Sequence, residues 1–299
     1  MELKDKTVLI TGAAHGLGAE TARKLARRGA HVVLVDRDAD AVRRTAAELP
    51  GDQVGITADV TDSPSIESAV RTAVERFGGI DVVIANAGVA DMGTVATRAV
   101  EALVRTIDIN LSGVVRTVHA ALPHVIERKG YFLLVSSAAA LKNVPGGSCY
   151  AAAKAGVDAF GGALRLEVAH KGVDVGVIHP AWVRTEMYRA QTEHDSFNEG
   201  LKGLPWPFNV VTSVEDAAGT FVTAIERRQR KAYVPGVLRH VDRIRGVFTG
   251  FAWDLVAKPS AARLVPRMEA EISALAERSG KRSGEQPGGQ TATLPGGRP

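Results

Sequence analysis

The chain has 299 residues, of which 45% are hydrophobic and 23% are charged, and these proportions are typical of a globular protein that buries a sizeable core. The net charge of +4 comes from basic residues scattered along the chain, so we expect no nucleic-acid partner. The single cysteine, Cys149, excludes an intramolecular disulfide. No signal segment opens the chain and no apolar run approaches the ~20 residues of a membrane span, so the expected location is cytoplasmic.

Short apolar runs alternate with helical patterns along most of the chain. Six runs are β-branched and almost continuously apolar, as parallel strands covered on both faces are: residues 7–11, 31–36, 54–59, 81–86, 131–137 and 174–180. A further run, 232–236, is expected to close one edge. The alternation predicts an α/β fold, a Rossmann-type doubly wound parallel sheet of about seven strands with helices on both faces.

Three parts are expected along the chain. Residues 1–236 form the α/β domain, 237–279 form a helical C-terminal extension, and 280–299, rich in Gly, Pro, Ser and Thr, form a disordered tail. Residues 187–212 show no clear period and follow the carboxyl end of a strand, where ligands bind in open α/β sheets. We interpret this segment as a loop or lid over a pocket, with a plain surface connection as the alternative.

The sequence TGAAHGLG follows the first strand and opens the first helix. A glycine-rich turn at this place brings backbone N–H groups, and the positive end of the helix dipole, close to a pyrophosphate. We expect Gly12 to permit the tight turn, Gly16 to allow the close approach and Gly18 to allow close packing of the helix. The loop therefore predicts a dinucleotide site.

Asp36 ends the second strand, where a carboxylate accepts hydrogen bonds from the ribose hydroxyls of a dinucleotide. The same carboxylate repels a 2′-phosphate, so NAD is favoured over NADP. Arg37 and His15 leave NADP open, because either cation can approach a 2′-phosphate and compensate its charge.

Taken together, the motifs TGxxxGxG, NAG and YxxxK resemble those of the short-chain dehydrogenase/reductase family in its single-domain form, over residues 6–236. The resemblance implies an NAD(P)-dependent oxidoreductase that acts on an alcohol or ketone, commonly as a homodimer or homotetramer. It places further residues beside the cofactor in addition to those already named. Leu17 belongs to the glycine loop, Asp59 and Val60 border the adenine, Asn86, Ala87 and Gly88 border the cofactor at the fourth strand, and Val183 and Thr185 border the nicotinamide. For Asp59, a helix or turn cap is the alternative.

Tyr150 and Lys154 are one helical turn apart and share a helix face. A nearby ammonium lowers the pKa of a phenol from ~10, so Tyr150 is expected to be the general acid in reduction and the general base in oxidation. By the resemblance, Ser137 donates to the substrate oxygen, Lys154 also binds the nicotinamide ribose, and Asn110 holds a water that relays protons. Strand alternation points Ser136 to the other face. No metal site is expected.

The residues leave two alternatives open, one for the function of the protein and one for the role of the C-terminal extension. A non-catalytic dinucleotide-binding or redox-sensing protein would keep the glycine loop but would not need the serine, tyrosine and lysine. In the extension, apolar residues are expected to cover the pocket or a subunit interface, with contact to a membrane surface as the less favoured alternative. Phe197, Trp206 and Phe208 hint at an apolar small-molecule substrate, and the direction of the reaction stays open.

Overall fold

The computed structural model describes residues 1–91 and 93–284. Nine strands are assigned in this part of the chain: β1 (Thr7–Thr11), β2 (His31–Asp36), β3 (Val54–Thr57), β4 (Val82–Ala85), β5 (Tyr131–Val135), β6 (Asp174–Pro180), β7 (Trp182–Val183), β8 (Val211–Thr212) and β9 (Lys231–Val234). Seven of them form one parallel sheet in the order β3-β2-β1-β4-β5-β6-β9, and β7 pairs with β8 in a small second sheet.

Twelve α-helices lie in the same described part: α1 (Gly16–Ala26), α2 (Ala39–Ala47), α3 (Ser63–Phe77), α4 (Val100–Ile107), α5 (Gly113–Glu127), α6 (Ser148–Val168), α7 (Glu186–Thr192), α8 (Asp195–Gly203), α9 (Val214–Glu226), α10 (Leu238–Arg243), α11 (Arg245–Thr249) and α12 (Phe251–Gly284). A π-helical turn, Asp108–Ser112, joins α4 to α5.

The sheet is buried on both faces, which explains why its strands read as nearly continuous apolar runs. Leu34 and Ile84 belong to the core cluster on one face, and Val33 and Val83 to the cluster on the other. The chain turns back from β3 at one edge and resumes with β4 on the other side of β1. The strand order therefore reverses between β1 and β4, and open α/β sheets bind ligands at the carboxyl ends of such strands.

Polar side chains fix the starts of several helices by accepting a hydrogen bond from a free backbone N–H. Asp38 caps α2, Asp62 caps α3, Thr185 caps α7 and Ser213 caps α9. The helix α1 differs, because the side chain of His15 at its N-cap position makes no such bond. The first N–H groups of α1 are thus directed at the space beyond the end of β1.

The predicted fold class is confirmed by the seven-stranded parallel sheet, and β9 lies at an edge as expected. The segment 187–212 differs from the expected loop, since it contains nearly all of α7 and the whole of α8. Aromatic contacts hold these helices together: the Phe197 ring lies edge-on to Trp182, with centroids 5.2 Å apart, and also packs edge-on against Tyr188.

The extension folds back along the domain as α10, α11 and α12. Trp253 Nε1 donates to the Asn143 carbonyl at 2.6 Å, and Glu269 accepts from Thr94 Oγ1 at 2.8 Å. Met268 is buried. Of the predicted tail, residues 280–284 continue α12, and 285–299 lie outside the described residues. Within the described chain, no helix is both long and apolar enough to cross a bilayer.

Candidate active site

A cavity of about 400 Å³ lies at the carboxyl ends of β1, β4, β5 and β6. Most residues predicted for the site line it: Gly12, His15, Gly16, Leu17, Gly18, Asp36, Asn86, Ala87, Gly88, Asn110, Ser137, Tyr150, Lys154, Val183 and Thr185. Arg37, Asp59 and Val60 are not among the described residues of its lining. The topology thus brings together side chains that are spread over much of the chain.

The glycine loop provides a cradle that side chains would fill. Gly12 and Gly16 have φ of +68° and +56°, in the left-handed region that favours glycine. A Cβ on Gly12 would lie 2.7 Å from the Ala87 Cα, and one on Gly18 would collide with the Gly12 carbonyl oxygen. Together with the uncapped start of α1, this geometry fits the pyrophosphate of a nicotinamide dinucleotide.

Asp36 stands at the end of β2 and closes one side of the glycine loop. Its Oδ2 accepts from Ala14 N at 3.0 Å, and its Oδ1 accepts from Asp38 N at 3.2 Å. Arg37 is exposed, and His15 lies at the cavity with its Nε2 3.9 Å from Asp38 Oδ2. The carboxylate that faces the cavity is therefore Asp36, and the neighbouring cations are directed to solvent or to Asp38.

Asp59 acts in this structure as a turn cap. Its Oδ1 accepts from both the N–H and the hydroxyl of Thr61 at 2.8 Å. Both hydrogen bonds lower the pKa of Asp59, and the bond from the backbone N–H of Thr61 has the larger effect. Val60 is buried, and its carbonyl accepts from Arg116. Asp59 and Val60 therefore serve the start of α3 and the packing of the core.

The NAG motif ties β4 to β1. Asn86 Nδ2 donates to the carbonyls of Thr11 and Gly12 at 2.9 and 3.0 Å, and the Thr11 hydroxyl accepts from the N–H groups of Asn86 and Ala87. A Cβ on Gly88 would lie 2.6 Å from Asn110 Oδ1 and 3.5 Å from Lys154 Nζ. The lack of a side chain at Gly88 lets these two polar groups approach each other.

Asn110 lies in the π-helical turn between α4 and α5, and such turns are frequent at functional sites. Its Nδ2 donates to the carbonyls of Val89 and Thr106, each at 2.8 Å. Its Oδ1 is buried and has no hydrogen-bond partner among the residues that the structure describes. A buried acceptor of this kind needs a donor, so the geometry suits a bound water or ligand group.

The two adjacent serines after β5 have different partners. Ser136 Oγ donates to the Lys154 backbone carbonyl at 2.7 Å, deep in the structure. Ser137 Oγ accepts from Ala139 N at 3.1 Å and makes a long bond of 3.3 Å to the Pro180 carbonyl. Ser136 thus supports the helix α6, and Ser137 has the weaker interactions of a group able to donate elsewhere.

Tyr150 and Lys154 face the cavity from the first turns of α6, with Lys154 Nζ 5.7 Å from the centre of the Tyr150 ring. Lys154 Nζ also donates to the Val135 carbonyl at 2.9 Å. Burial lowers the pKa of Lys154 to about 8. Burial raises the pKa of Tyr150, and the hydrogen bond with Ser137 offsets this only in part. Desolvation of the phenolate is the larger of these two effects. The lowering of the Tyr150 pKa by the Lys154 charge stays a prediction.

Other lining residues do not follow from the sequence patterns. Lys142, Val144, Trp182 and Gln191 contribute to the cavity, and Lys142 and Gln191 are buried polar side chains. A lysine seven residues after β5 has the sequence signature of a surface loop, so only the fold reveals its burial. The aromatic pattern around 206–208 was a usable signal, and Phe208 is buried whereas Trp206 is exposed.

A cluster of charged and titratable side chains anchors the middle of α6. Asp158 lies within ion-pair distance of His179, Lys231 and Arg245, at 3.3, 3.3 and 2.9 Å. Burial alone would raise the pKa of Asp158, but His179, Lys231 and Arg245 hold it well below its usual range. Lys231 also reaches Asp242 at 2.9 Å. Because Asp242 and Arg245 belong to the extension, this cluster links the extension to the helix that carries Tyr150.

Comparison with known proteins decides the family. The family model described as "short chain dehydrogenase" matches residues 6–196. The chain belongs to the short-chain dehydrogenase family. As a member of this family, the protein is an NAD(P)-dependent oxidoreductase. The residues that the structure describes contain no group of three or more His, Cys, Asp or Glu able to hold a metal ion.

Relatives of several kinds resemble this short-chain dehydrogenase. Meso-2,3-butanediol dehydrogenase of Serratia marcescens is 35% identical over 67% of this chain and 81% of its own length. Glycine betaine reductase ATRR of Emericella nidulans is 32% identical over 77% of this chain, which spans only 18% of that protein. A short-chain dehydrogenase/reductase of Burkholderia phymatum, solved in complex with NAD, has a TM-score of 0.72 at 22% identity and covers 81% of this chain and 93% of its own. At 22% identity, the likeness to the Burkholderia phymatum protein shows a shared fold and nothing more.

Proposed function

We propose that this protein interconverts an alcohol and a ketone in a small, largely apolar substrate, prefers NAD, and uses Asn110, Ser137, Tyr150 and Lys154. The observation that carries the proposal is that these four residues line one cavity next to the glycine cradle. A non-catalytic dinucleotide-binding protein would not require a phenol, an ammonium and a weakly bound hydroxyl at that place. The name of the butanediol dehydrogenase relative supports the same substrate chemistry.

The cofactor residues are proposed from the cavity. Gly12, Gly16 and Gly18 admit the pyrophosphate to the start of α1, and Asp36 accepts hydrogen bonds from the adenosine ribose. Val183 and Thr185 line the same cavity at the beginning of α7. When bound, the nicotinamide supplies the hydride acceptor or donor. NADP is the less favoured alternative, because Asp36 would face its 2′-phosphate.

Each catalytic side chain has a role that follows from its environment. Tyr150 holds the proton that passes to or from the substrate oxygen, and its raised pKa keeps the phenol protonated at neutral pH. Lys154, when charged, favours the phenolate that oxidation requires. Ser137 exchanges its long bond to Pro180 for the substrate oxygen. Asn110 Oδ1, beside Lys154 across Gly88, accepts from a water that connects Lys154 with solvent.

The test is turnover of the purified full chain with a panel of secondary alcohols and ketones, followed by nicotinamide absorbance with NAD and NADP in parallel. We expect turnover with at least one substrate class and a higher kcat/KM with NAD. Dinucleotide binding without turnover of any substrate would support the alternative of a redox-sensing protein. Equal or better use of NADP would overturn the role assigned to Asp36.

The assembly is proposed to be a homodimer or homotetramer. Val100 and Val104 on α4, Val115 on α5 and Leu166 on α6 are exposed apolar side chains, and such residues suit contact with a second copy of the chain. Sedimentation of the wild type and of Val104→Glu measures the number of chains in the assembly. A monomeric wild type would refute the proposed homodimer or homotetramer. Flotation with lipid vesicles tests the less favoured membrane contact of the extension.

The location proposed for the protein is the cytoplasm. The single cysteine of the chain, Cys149, is free, which suits the reducing conditions of that compartment.

A further inference from the structure

Lys142 is a buried cation in the substrate half of the cavity that the proposed chemistry does not use. It follows the short turn after Ser137 and lines the same cavity. Only 4% of the residue is exposed. Its Nζ lies 4.1 Å from the centre of the Phe208 ring, and within the described chain no carboxylate or hydrogen-bond acceptor is paired with it.

The ring beneath Lys142 is held in place by the neighbouring strand. Trp182 Nε1 donates to the Phe208 carbonyl at 2.7 Å, and the Trp182 ring packs edge-on against Phe197. Phe208 itself is 1% exposed. The ammonium therefore lies over a fixed aromatic ring, and the face of such a ring attracts a cation.

The surroundings of the Lys142 side chain disfavour its positive charge. Burial lowers the pKa of Lys142 to about 7, which shows that the fold disfavours the charged form at this position. A methionine would fill similar space over Phe208 without that cost. A buried lysine with no acceptor among the described residues, in the cavity proposed to bind substrate, indicates a ligand with the opposite charge.

The other ionisable groups of the cavity leave Lys142 uncompensated. These groups are His15, Asp36, Tyr150, Lys154, Glu186 and Tyr188. Asp36 is engaged by the N–H groups of Ala14 and Asp38 at the glycine loop. Glu186 is exposed at the start of α7, and it forms no ion pair with a charged side chain of the described cavity lining. Ala138, Ala139 and Val144 add apolar surface to the lining that contains Trp182 and Phe208, and Gln191 is a buried, uncharged polar residue of the same lining.

We propose that Lys142 binds the carboxylate of an oxo-acid or hydroxy-acid substrate, whose hydrocarbon part lies against Trp182 and Phe208. This inference rests on the proposed function, because it names the class of alcohol or ketone that the site accepts. Lys142 is a specificity-determining residue in this view, and Ser137 and Tyr150 act on the carbonyl or hydroxyl group at the other end of the substrate. A carboxylate restores the charged form of Lys142 by direct pairing.

The test is binding rather than turnover, so that it does not depend on the chemistry. Calorimetry with the full chain and NAD compares octanoate with octanamide, which has nearly the same shape and no charge. We expect the wild type to bind octanoate roughly tenfold tighter than octanamide. Lys142→Met and Lys142→Gln should both lose this preference. Lys171→Met, which removes an exposed lysine at the end of α6, should keep it.

A second readout separates ligand binding from a purely structural role. At pH 8 Lys142 is mostly neutral, and pairing with a carboxylate raises its pKa. The wild type should therefore take up a proton on binding octanoate, which calorimetry in two buffers of different ionisation enthalpy measures. Lys142→Met should lack this uptake, although His15, Tyr150 and Lys154 remain in the cavity. Its melting temperature should be equal to or above that of the wild type.

Three results would overturn the proposal: no preference for octanoate in the wild type, a preference that persists in both neutral variants, or a lower melting temperature together with unchanged octanoate binding. The outcome is separable from that of the proposed function. Turnover of neutral ketones without a carboxylate preference removes only the role of Lys142. Carboxylate binding at Lys142 together with full activity of Tyr150→Phe removes only the proposed chemistry.

Discussion

The two halves of the cavity are constructed differently. The cofactor half is made mostly of backbone: Gly12, Gly16 and Gly18 leave room at the start of α1, and Asp36 closes the loop through a hydrogen bond to Ala14 N. The substrate half is made of side chains from separate segments, among them Lys142 after β5, Trp182 in β7 and Phe208 before β8. Local sequence therefore determines the first half, and long-range packing determines the second.

The two halves of the cavity carry different parts of the function. Gly12 and Gly18 tolerate almost no change, since a side chain there meets backbone atoms, and Gly16 has a left-handed φ of +56°. The substrate half has flexible side chains that other residues can replace with only a change of specificity. Tyr150 stands where the halves meet, on a helix that the extension holds through Asp158.

The largest effect is expected from Tyr150→Phe. Removal of the phenolic hydroxyl should lower kcat by about 10²–10⁴-fold, because general acid–base catalysis contributes that much. Cofactor affinity should change little, since the cofactor half is intact. Steady-state kinetics measures kcat, and fluorescence titration with NADH measures the cofactor affinity. The matched control is Tyr131→Phe, which removes a hydroxyl that donates to the Gln229 carbonyl outside the cavity; equal loss of activity in both variants would contradict the assignment.

The pH dependence of the two reaction directions should be opposite. Because burial raises the pKa of Tyr150, the phenol is protonated at neutral pH and ready to donate in ketone reduction. Alcohol oxidation needs the phenolate, so its rate should rise with pH, by up to about tenfold per unit below the pKa. Loss of the Lys154 charge above its pKa of about 8 should flatten that rise. Parallel profiles for oxidation and reduction would argue against Tyr150 as the shared acid and base.

Gly18→Ala tests the backbone half. Its Cβ would collide with the Gly12 carbonyl oxygen, so the glycine loop has to move. We expect the free energy of unfolding to fall by about 1–3 kcal/mol and NADH affinity to fall with it. The control is Gly219→Ala in α9, where a Cβ meets no atom of the described chain within 4 Å. That variant should gain about 0.5–1 kcal/mol from helix propensity, and urea unfolding compares the two.

Asp36→Ala should change cofactor choice more than stability. The loss of charged hydrogen bonds to the ribose should lower the preference for NAD over NADP by roughly tenfold. Asp62→Ala is the control, because it removes the cap of α3, and Asp62 is not among the residues that line the cavity. The ratio of kcat/KM for the two cofactors reports the effect. An unchanged ratio in Asp36→Ala would show that ribose recognition lies elsewhere.

The smallest effect is expected in the extension. Arg245→Ala breaks a half-exposed ion pair with Asp158, which should cost less than about 1 kcal/mol. The Asp158 pKa is lowered, so the ion-pair contribution is present above the ordinary carboxyl pKa of ~4 and declines as the pH falls below it. Urea unfolding at pH 7 and at pH 3 should therefore show a smaller difference between variant and wild type at the lower pH. A larger loss at pH 3 would be incompatible with the ion pair.

The amino-acid sequence alone determined the strand pattern, the parallel sheet, the glycine loop and the Tyr150–Lys154 pair, because each of these depends on neighbours a few positions apart. Only the tertiary structure decided that Lys142 is buried over Phe208, that 187–212 forms helices over the cavity, and that Asp59 serves a turn. It also decided that the phenol of Tyr150 is desolvated, which raises its pKa, because desolvation depends on every segment packed around the phenol. Local spacing carries short-range information, whereas burial is a sum over segments that meet only after folding.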